Sequence, residues 1–216
     1  MKTINLKNIN KIISILEKEY PNTATQLHHK TIFQLLVATI LSAQCTDKRV
    51  NQITPDLFKK YRTANDLSKA KEIVIESLIR STGFFRNKAK NIINSSKIIQ
   101  EKYKGKVPNN MKDLIGLPGV ARKTANIVLY HGYGITAGIA VDTHVKRLSR
   151  RLGLSTETEP VKIEKNLMEI IPKKKWGKFN GMLVLHGRQI CKARKPMCQG
   201  CKLSYYCKYY KERERG

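Results

Sequence analysis

An all-α fold is predicted for this chain by three observations. Apolar residues recur at helical spacing along its length, as in Ile9/Ile12/Ile13/Leu16 and Ile163/Leu167/Ile170/Ile171. The period-two alternation of half-buried strands is nearly missing. Proline and glycine then interrupt the periodic stretches at short intervals, so that about ten short helices are expected.

The elements can be taken in order. The first helix, around Ile9 to Leu16, interleaves Lys and Asn with Ile and Leu, and so lacks the unbroken apolar stretch of a secretory signal. The segment Ile32 to Leu41 is the most apolar, but Gln34 and Thr39 interrupt it and it falls short of the ~20 residues that span a bilayer. A soluble, cytoplasmic protein without a membrane partner is expected. Val50/Ile53/Leu57 continues the helical spacing, with Pro21 and Pro55 as breaks. Further breaks fall at Gly83, at Gly105 with Pro108, at Pro118-Gly119, from Gly132 to Gly138, and at Pro172. Val145/Leu148/Leu152 supplies one more apolar face, and Lys173-Lys174-Lys175-Trp176 reads as a solvated turn between helices. No repeat and no low-complexity linker is present, so any lobes must lie close along the chain without a flexible tether.

Charge restricts the partner. The 216 residues hold 42 Lys and Arg against 16 Asp and Glu, a formal net charge of +26 spread over every segment. A solubilising surface of the thermophile kind balances Lys with Glu, and that balance is absent. Nucleic acid is the expected polyanion, because each phosphate neutralised releases condensed counterions.

The stretch from Met111 to Tyr130 reads as helix, tight hairpin, helix: a short helix to about Ile115, then Gly116-Leu117-Pro118-Gly119-Val120, then a second helix from near Ala121. Pro118 fixes one dihedral and Gly119 can take a positive φ, which aims the free N–H groups of the second helix outward as an anion site. A glycine-capped helical hairpin without a ligand has the same local pattern. Lys123 follows in the first turn of the second helix, where the positive end of the macrodipole disfavours an ammonium and favours the nucleophilic amine. Further on, Ala140-Val141-Asp142-Thr143-His144 places a carboxylate just ahead of another helix, a position at which Asp is favoured simply as an N-cap.

Four of the five cysteines, Cys191, Cys198, Cys201 and Cys207, crowd into one polar segment with six, two and five residues between them. That crowding suits a metal site better than a disulfide framework. Tetrahedral zinc and a cuboidal iron–sulfur cluster both take four cysteines, and the chemistry alone leaves both open. Cys45 stands apart and is assigned to packing.

Two segments together carry a resemblance. Leu117-Pro118-Gly119-Val120-Ala121-Arg122-Lys123-Thr124-Ala125-Asn126, followed by Val141-Asp142-Thr143-His144, resembles the helix-hairpin-helix and Gly/Pro-Asp signature of the endonuclease III family of DNA glycosylases. The likeness runs from Leu41-Ser42-Ala43-Gln44 to the final cysteines. It implies a six-helix lobe over residues 25–135, a second lobe of 136–216 packed with 1–24, and a DNA site between them. It implies a monomer acting on double-stranded DNA that holds a damaged base or an abasic site, with excision of oxidised pyrimidines and strand cleavage by β-elimination.

Residue by residue, the resemblance makes Lys123 the nucleophile and Asp142 the carboxylate that supports positive charge on the sugar. It makes Gln44 the side chain offered to the widowed base and Phe84, in Thr82-Gly83-Phe84-Phe85, the apolar wedge, both needed because a flipped base leaves a gap. Gly119 and Ala121 would hold phosphate; many family members have glycine where Ala121 stands, and alanine keeps the N–H donor. Cys191, Cys198, Cys201 and Cys207 would carry a 4Fe-4S cluster. Lys192 and Arg194, with Lys195, would form a basic finger between the first two ligands, and His144 is expected near the pocket beside Asp142.

Two rival readings share parts of this pattern. A monofunctional adenine or thymine mismatch glycosylase has the hairpin, the aspartate and the cluster but generally lacks the lysine, and an adenine-specific relative is expected to carry a further C-terminal domain, whereas this chain ends nine residues after Cys207. A non-catalytic helix-hairpin-helix module explains the charge and Gly119 but gives no reason for Lys123, Asp142 and Gln44 together.

Overall fold

The computed structural model describes residues 6–214, with side chains from residue 8 onward. Among the described residues there are twelve α-helices, three 3-10 turns and no strand. The α-helices are α1 Leu6–Glu19, α2 Ile32–Leu41, α3 Asp47–Lys60, α4 Ala64–Ser68, α5 Glu72–Ile79, α6 Phe85–Tyr103, α7 Met111–Ile115, α8 Arg122–Tyr133, α9 Thr143–Leu152, α10 Pro160–Ile170, α11 Trp176–Gln189 and α12 Lys208–Arg213. The all-α expectation holds. The count is higher than the expected ten, and α4 is one helix not foreseen, since its five residues are too few to show a period.

Local chemistry sets many of these boundaries. Thr31, Thr46 and Asn110 each turn a side-chain oxygen to the backbone N–H three residues on, and Thr63 with Asp66 closes a full capping box. Pro55 departs from its reading as a break, since it lies inside α3. A proline removes one ladder hydrogen bond, and α3 continues because Val50, Thr54 and Leu57 are buried on one face. Lys173–Lys175 forms a 3-10 turn with no buried residue, in keeping with a solvated connection.

The chain divides into two compact units. One is Thr25–Ala137, whose core holds Leu35, Leu36, Leu57, Leu67, Ile75, Ile92 and Leu129, with Cys45 packed against it. It contains seven α-helices, α2 to α8, where six were expected; the five-residue α4 was not foreseen. The other comprises Met1–Ala24 and Gly138–Gly216, and in its described part Ile9, Ile12 and Leu16 of α1 pack with Leu148 of α9, Leu167 of α10 and Phe179 of α11. No helix among the described residues is long and apolar enough to cross a membrane.

Candidate active site and nucleic-acid interface

In the unit Thr25–Ala137, the hairpin is built as its sequence suggests. α7 ends at Gly116, Gly119 takes φ +77°, and Ala121 is the N-cap of α8. The cap carries no side-chain hydrogen bond, as an alanine has no side-chain oxygen to turn back on the helix. Long-range contacts fix the turn to α6: the Ser95 hydroxyl donates to the Pro118 carbonyl at 2.7 Å, and a Cβ at Gly119 would fall 2.9 Å from the Asn91 Cβ. Gly119 and Ala121 are exposed, and Lys123 is half-buried one residue into α8. A helix N-terminus that follows an exposed turn, with an amine in its first turn, can take an anionic group and present a nucleophile beside it.

Gln44 and Phe84 belong to the same unit and share an unusual backbone. Both lie in the left-handed region, Gln44 at φ +52° and Phe84 at φ +48°, and Lys104 is the one other described non-glycine residue there. Such a conformation is strained for an L-residue, and strain of this kind concentrates at functional sites. Both side chains are exposed, Phe84 by 65%, whereas Phe85 turns into the core. An exposed phenylalanine on a strained turn is not explained by core packing.

Between these two turns lies a residue that pattern reading passed over. Lys88, only 4% exposed, donates from Nζ to the Leu41 carbonyl at 2.8 Å and to the Thr82 carbonyl at 2.8 Å. Burial lowers the pKa of its ammonium, opposed by the nearby Cys45 thiol. The available signal was positional: Lys88 precedes Ala89 and stands four residues before Ile92, on the buried face of α6.

In the unit formed by Met1–Ala24 and Gly138–Gly216, Asp142 is the N-cap of α9, its Oδ1 accepting from the Val145 N–H at 2.8 Å. It is half-buried. His144 turns its Nδ1 toward Arg147 Nη2 at 3.1 Å, and a Cβ on Gly187 of α11 would meet the same ring.

Cys191, Cys198, Cys201 and Cys207 line one cavity, whose other walls include Leu148, Leu152 and Leu203. Among the described residues no three His, Cys, Asp or Glu side chains are grouped so as to hold a metal ion. Burial pushes the Cys201 and Cys207 thiols up, and the neighbouring thiols add to this. Two arginines of α9 grip the segment: Arg147 donates to the Cys191 carbonyl at 3.0 Å and to that of Gly187 at 3.1 Å, while Arg151 donates to the Lys192 and Ala193 carbonyls at 2.8 Å each and lies 3.2 Å from Cys191 Sγ. Lys192 and Arg194 point into solvent. Arg147 and Arg151 were missed in the sequence because charged residues on a basic helix carry no distinguishing pattern; their four-residue spacing on α9 was the only trace.

Comparison with known proteins places this geometry. Residues 37–173 match the family described as HhH-GPD superfamily base excision DNA repair protein. The endonuclease III of Synechocystis sp. is 55% identical over 91% of this chain and 90% of its own length. A trapped covalent intermediate of endonuclease III with DNA superposes with a TM-score of 0.93 at 41% identity, covering 99% of this chain and all of the other. A thermostable thymine-DNA glycosylase follows with a TM-score of 0.83 at 27% identity, over 95% of this chain and 98% of that one. With the open hairpin, the strained Gln44 and Phe84 turns and these likenesses together, the chain belongs to the HhH-GPD superfamily of base excision DNA repair proteins, within its endonuclease III family.

Proposed function

We propose that the protein is a bifunctional DNA glycosylase and AP lyase, which releases oxidised pyrimidines from duplex DNA and nicks the strand in base excision repair, acting as a monomer. The observation that carries this reading is Lys123, a half-buried amine in the first turn of α8, directly after an exposed hairpin whose helix has no side-chain cap. The relative trapped covalently on DNA shares 41% of its sequence with this chain.

Each step can be assigned to a residue. The lone pair of Lys123 Nζ attacks C1′ of the flipped nucleotide; the C1′–N bond breaks and its electrons leave with the base, which takes up a proton. Positive charge develops on the sugar, and the Asp142 carboxylate offsets it. Opening of the sugar gives an imine on Lys123, which acidifies the C2′ hydrogen. Loss of that proton expels the 3′ phosphate by β-elimination, and water then releases the lysine. Gln44 offers its amide donor and acceptor to the widowed base, and Phe84 wedges the opened step. The N–H groups around Gly119 and Ala121 hold a phosphate, and Lys192 and Arg194 add backbone contacts.

The four cysteines fit a 4Fe-4S cluster. All four line one shared cavity walled by Leu148, Leu152 and Leu203, and four cysteine thiols are the donor set that such a cluster takes. When bound, the cluster would cross-link the segment Cys191–Cys207 and so present Lys192 and Arg194 as a rigid loop.

Borohydride tests the reading. With duplex holding one oxidised pyrimidine, the wild-type protein should yield a stable protein–DNA adduct, and Lys123→Gln should reduce trapping and strand cleavage to background with duplex binding retained. Trapping at the wild-type rate in Lys123→Gln would identify another amine as the nucleophile. Base release by the wild type without any adduct would favour a monofunctional mismatch enzyme; a thymine-DNA glycosylase is among the solved structures that the chain resembles.

A further inference from the structure

We propose that Lys88 is a positioning residue for base flipping, its buried ammonium tying the loop that carries Gln44 to the loop that carries Phe84. The proposal rests on the gap-filling roles given to those two residues above.

The geometry is specific. Leu41, the last residue of α2, lies three residues before Gln44, and Thr82 lies two before Phe84. Both carbonyls accept from the same Nζ at 2.8 Å. The anchoring residue itself sits in the first turn of α6, its backbone N–H bonded to the Phe84 carbonyl at 3.1 Å. One side chain therefore fixes the approach to both strained turns. Closing a helix C-terminus does not require this arrangement, because a glycine or a surface lysine supplies it without burying an ammonium. A short polar side chain could reach one carbonyl but not both. What the buried lysine adds is a link between two segments far apart in sequence, each ending in an exposed residue at positive φ.

Filling the gap left by a flipped base is a coupled event: a wedge that opens the step and an amide that holds the orphan base must arrive together, or the base returns to the stack. If the two turns move independently, each insertion has its own ordering cost; tied through Lys88, they share one. Lys88 touches neither substrate nor reacting atoms in this account, and acts through Gln44 and Phe84.

The test is a double-mutant cycle in the full-length protein, on duplex with a single thymine glycol, read as single-turnover base release. Gln44→Ala, Phe84→Ala and Lys88→Met should each slow release by about tenfold or more while leaving affinity for undamaged duplex within about twofold. Combining Lys88→Met with Gln44→Ala should then add less than about threefold to the slower single variant, since the lysine works through the glutamine. Ile92→Val, a buried change on the same helix, should lower thermal stability without altering the ratio of lesion to undamaged binding, which separates positioning from general stability. Multiplicative effects in the cycle, or wild-type release by Lys88→Met, would overturn the clamp while the gap-filling roles stand. Wild-type release by both Gln44→Ala and Phe84→Ala would overturn those roles and the clamp with them. If Lys88→Met does not fold, the same cycle is run with Lys88→Gln, whose amide can still donate to one carbonyl, and additivity there is equally decisive.

Discussion

The hairpin around Gly119 and the cysteine segment from Cys191 to Cys207 are both basic, exposed and directed at phosphate in the proposed function, yet they are held by opposite means. The hairpin is a product of its own sequence: Pro118 and Gly119 make the turn, Leu117 and Val120 are buried beside it, and Ser95 of α6 seals it. In the cysteine segment only Leu203 is a buried hydrophobe, and its first residues hang from the guanidinium groups of Arg147 and Arg151. In the proposed function a segment with so little apolar burial would gain its rigidity from the cluster's cross-links. The first region should therefore respond to backbone changes and the second to loss of ligands.

The largest effect tests the second half of that contrast. Cys198→Ser removes one of the four thiols proposed to hold the cluster, and because such binding is coupled to folding, several kcal/mol of stability, and at most the ~10 kcal/mol scale of small metal domains, should be lost. Iron content and absorbance near 400 nm should collapse, and hydrogen exchange should accelerate through α11, α12 and the segment between them. Amides in Thr25–Ala137 should keep their protection. Loss of protection in both units alike would show that the cysteine segment is not an independent stabilising device, and stoichiometric zinc in the wild type would replace the cluster altogether.

Asp142→Asn comes next. The asparagine still accepts from the Val145 N–H, so the helix cap and the melting temperature should survive while base release falls by about 10²–10³-fold. Asp142→Ala should show the same catalytic loss together with about 1 kcal/mol of lost stability from the missing cap. Equal activity in Asp142→Asn and the wild type would reduce Asp142 to a cap.

Gly119→Ala probes the hairpin. It forces a side chain into φ +77° and drives a Cβ to 2.9 Å from the Asn91 Cβ, so about 1–3 kcal/mol of stability should be lost, with weaker binding to undamaged and damaged duplex alike. Unchanged binding in a folded variant would mean that phosphate does not rest on this turn.

The contrast also explains what the sequence could and could not reveal. The all-α class, the helices α7 and α8 and the turn between them were legible because their causes are local: periodicity, proline, glycine and caps. Lys123 and Asp142 were visible as positions, but the N-cap reading of Asp142 was equally sound and the structure shows that cap in place. Arg147 and Arg151 were not legible, since their partners lie some forty residues away and Lys or Arg on a chain of net charge +26 carries no signal. Lys88 was hidden for the same reason, and α4 escaped because five residues show no period. Pro55 misled because the rule that proline ends a helix yields to a well-buried face.

The smallest predicted effect separates strain that serves function from strain that does not. Three described non-glycine residues hold a positive φ: Gln44, Phe84 and Lys104. Lys104 follows the last residue of α6, its N–H bonding to the Ile99 carbonyl as in an ordinary left-handed helix end, and Gly105 comes after it. Glycine relieves the steric penalty there, offset in part by greater freedom of the unfolded chain, so Lys104→Gly should stabilise the protein by up to about 1 kcal/mol with unchanged base release. Phe84→Gly relieves the same strain and, because Phe84 is 65% exposed, forfeits little burial, so its stability should also hold or rise. Its base release should nonetheless fall, since the wedge is gone. Thermal melts paired with single-turnover rates measure both. If the two variants gained stability and kept activity alike, the backbone strain at Phe84 would be no more functional than that of a helix end, and the wedge would have to be sought in another side chain.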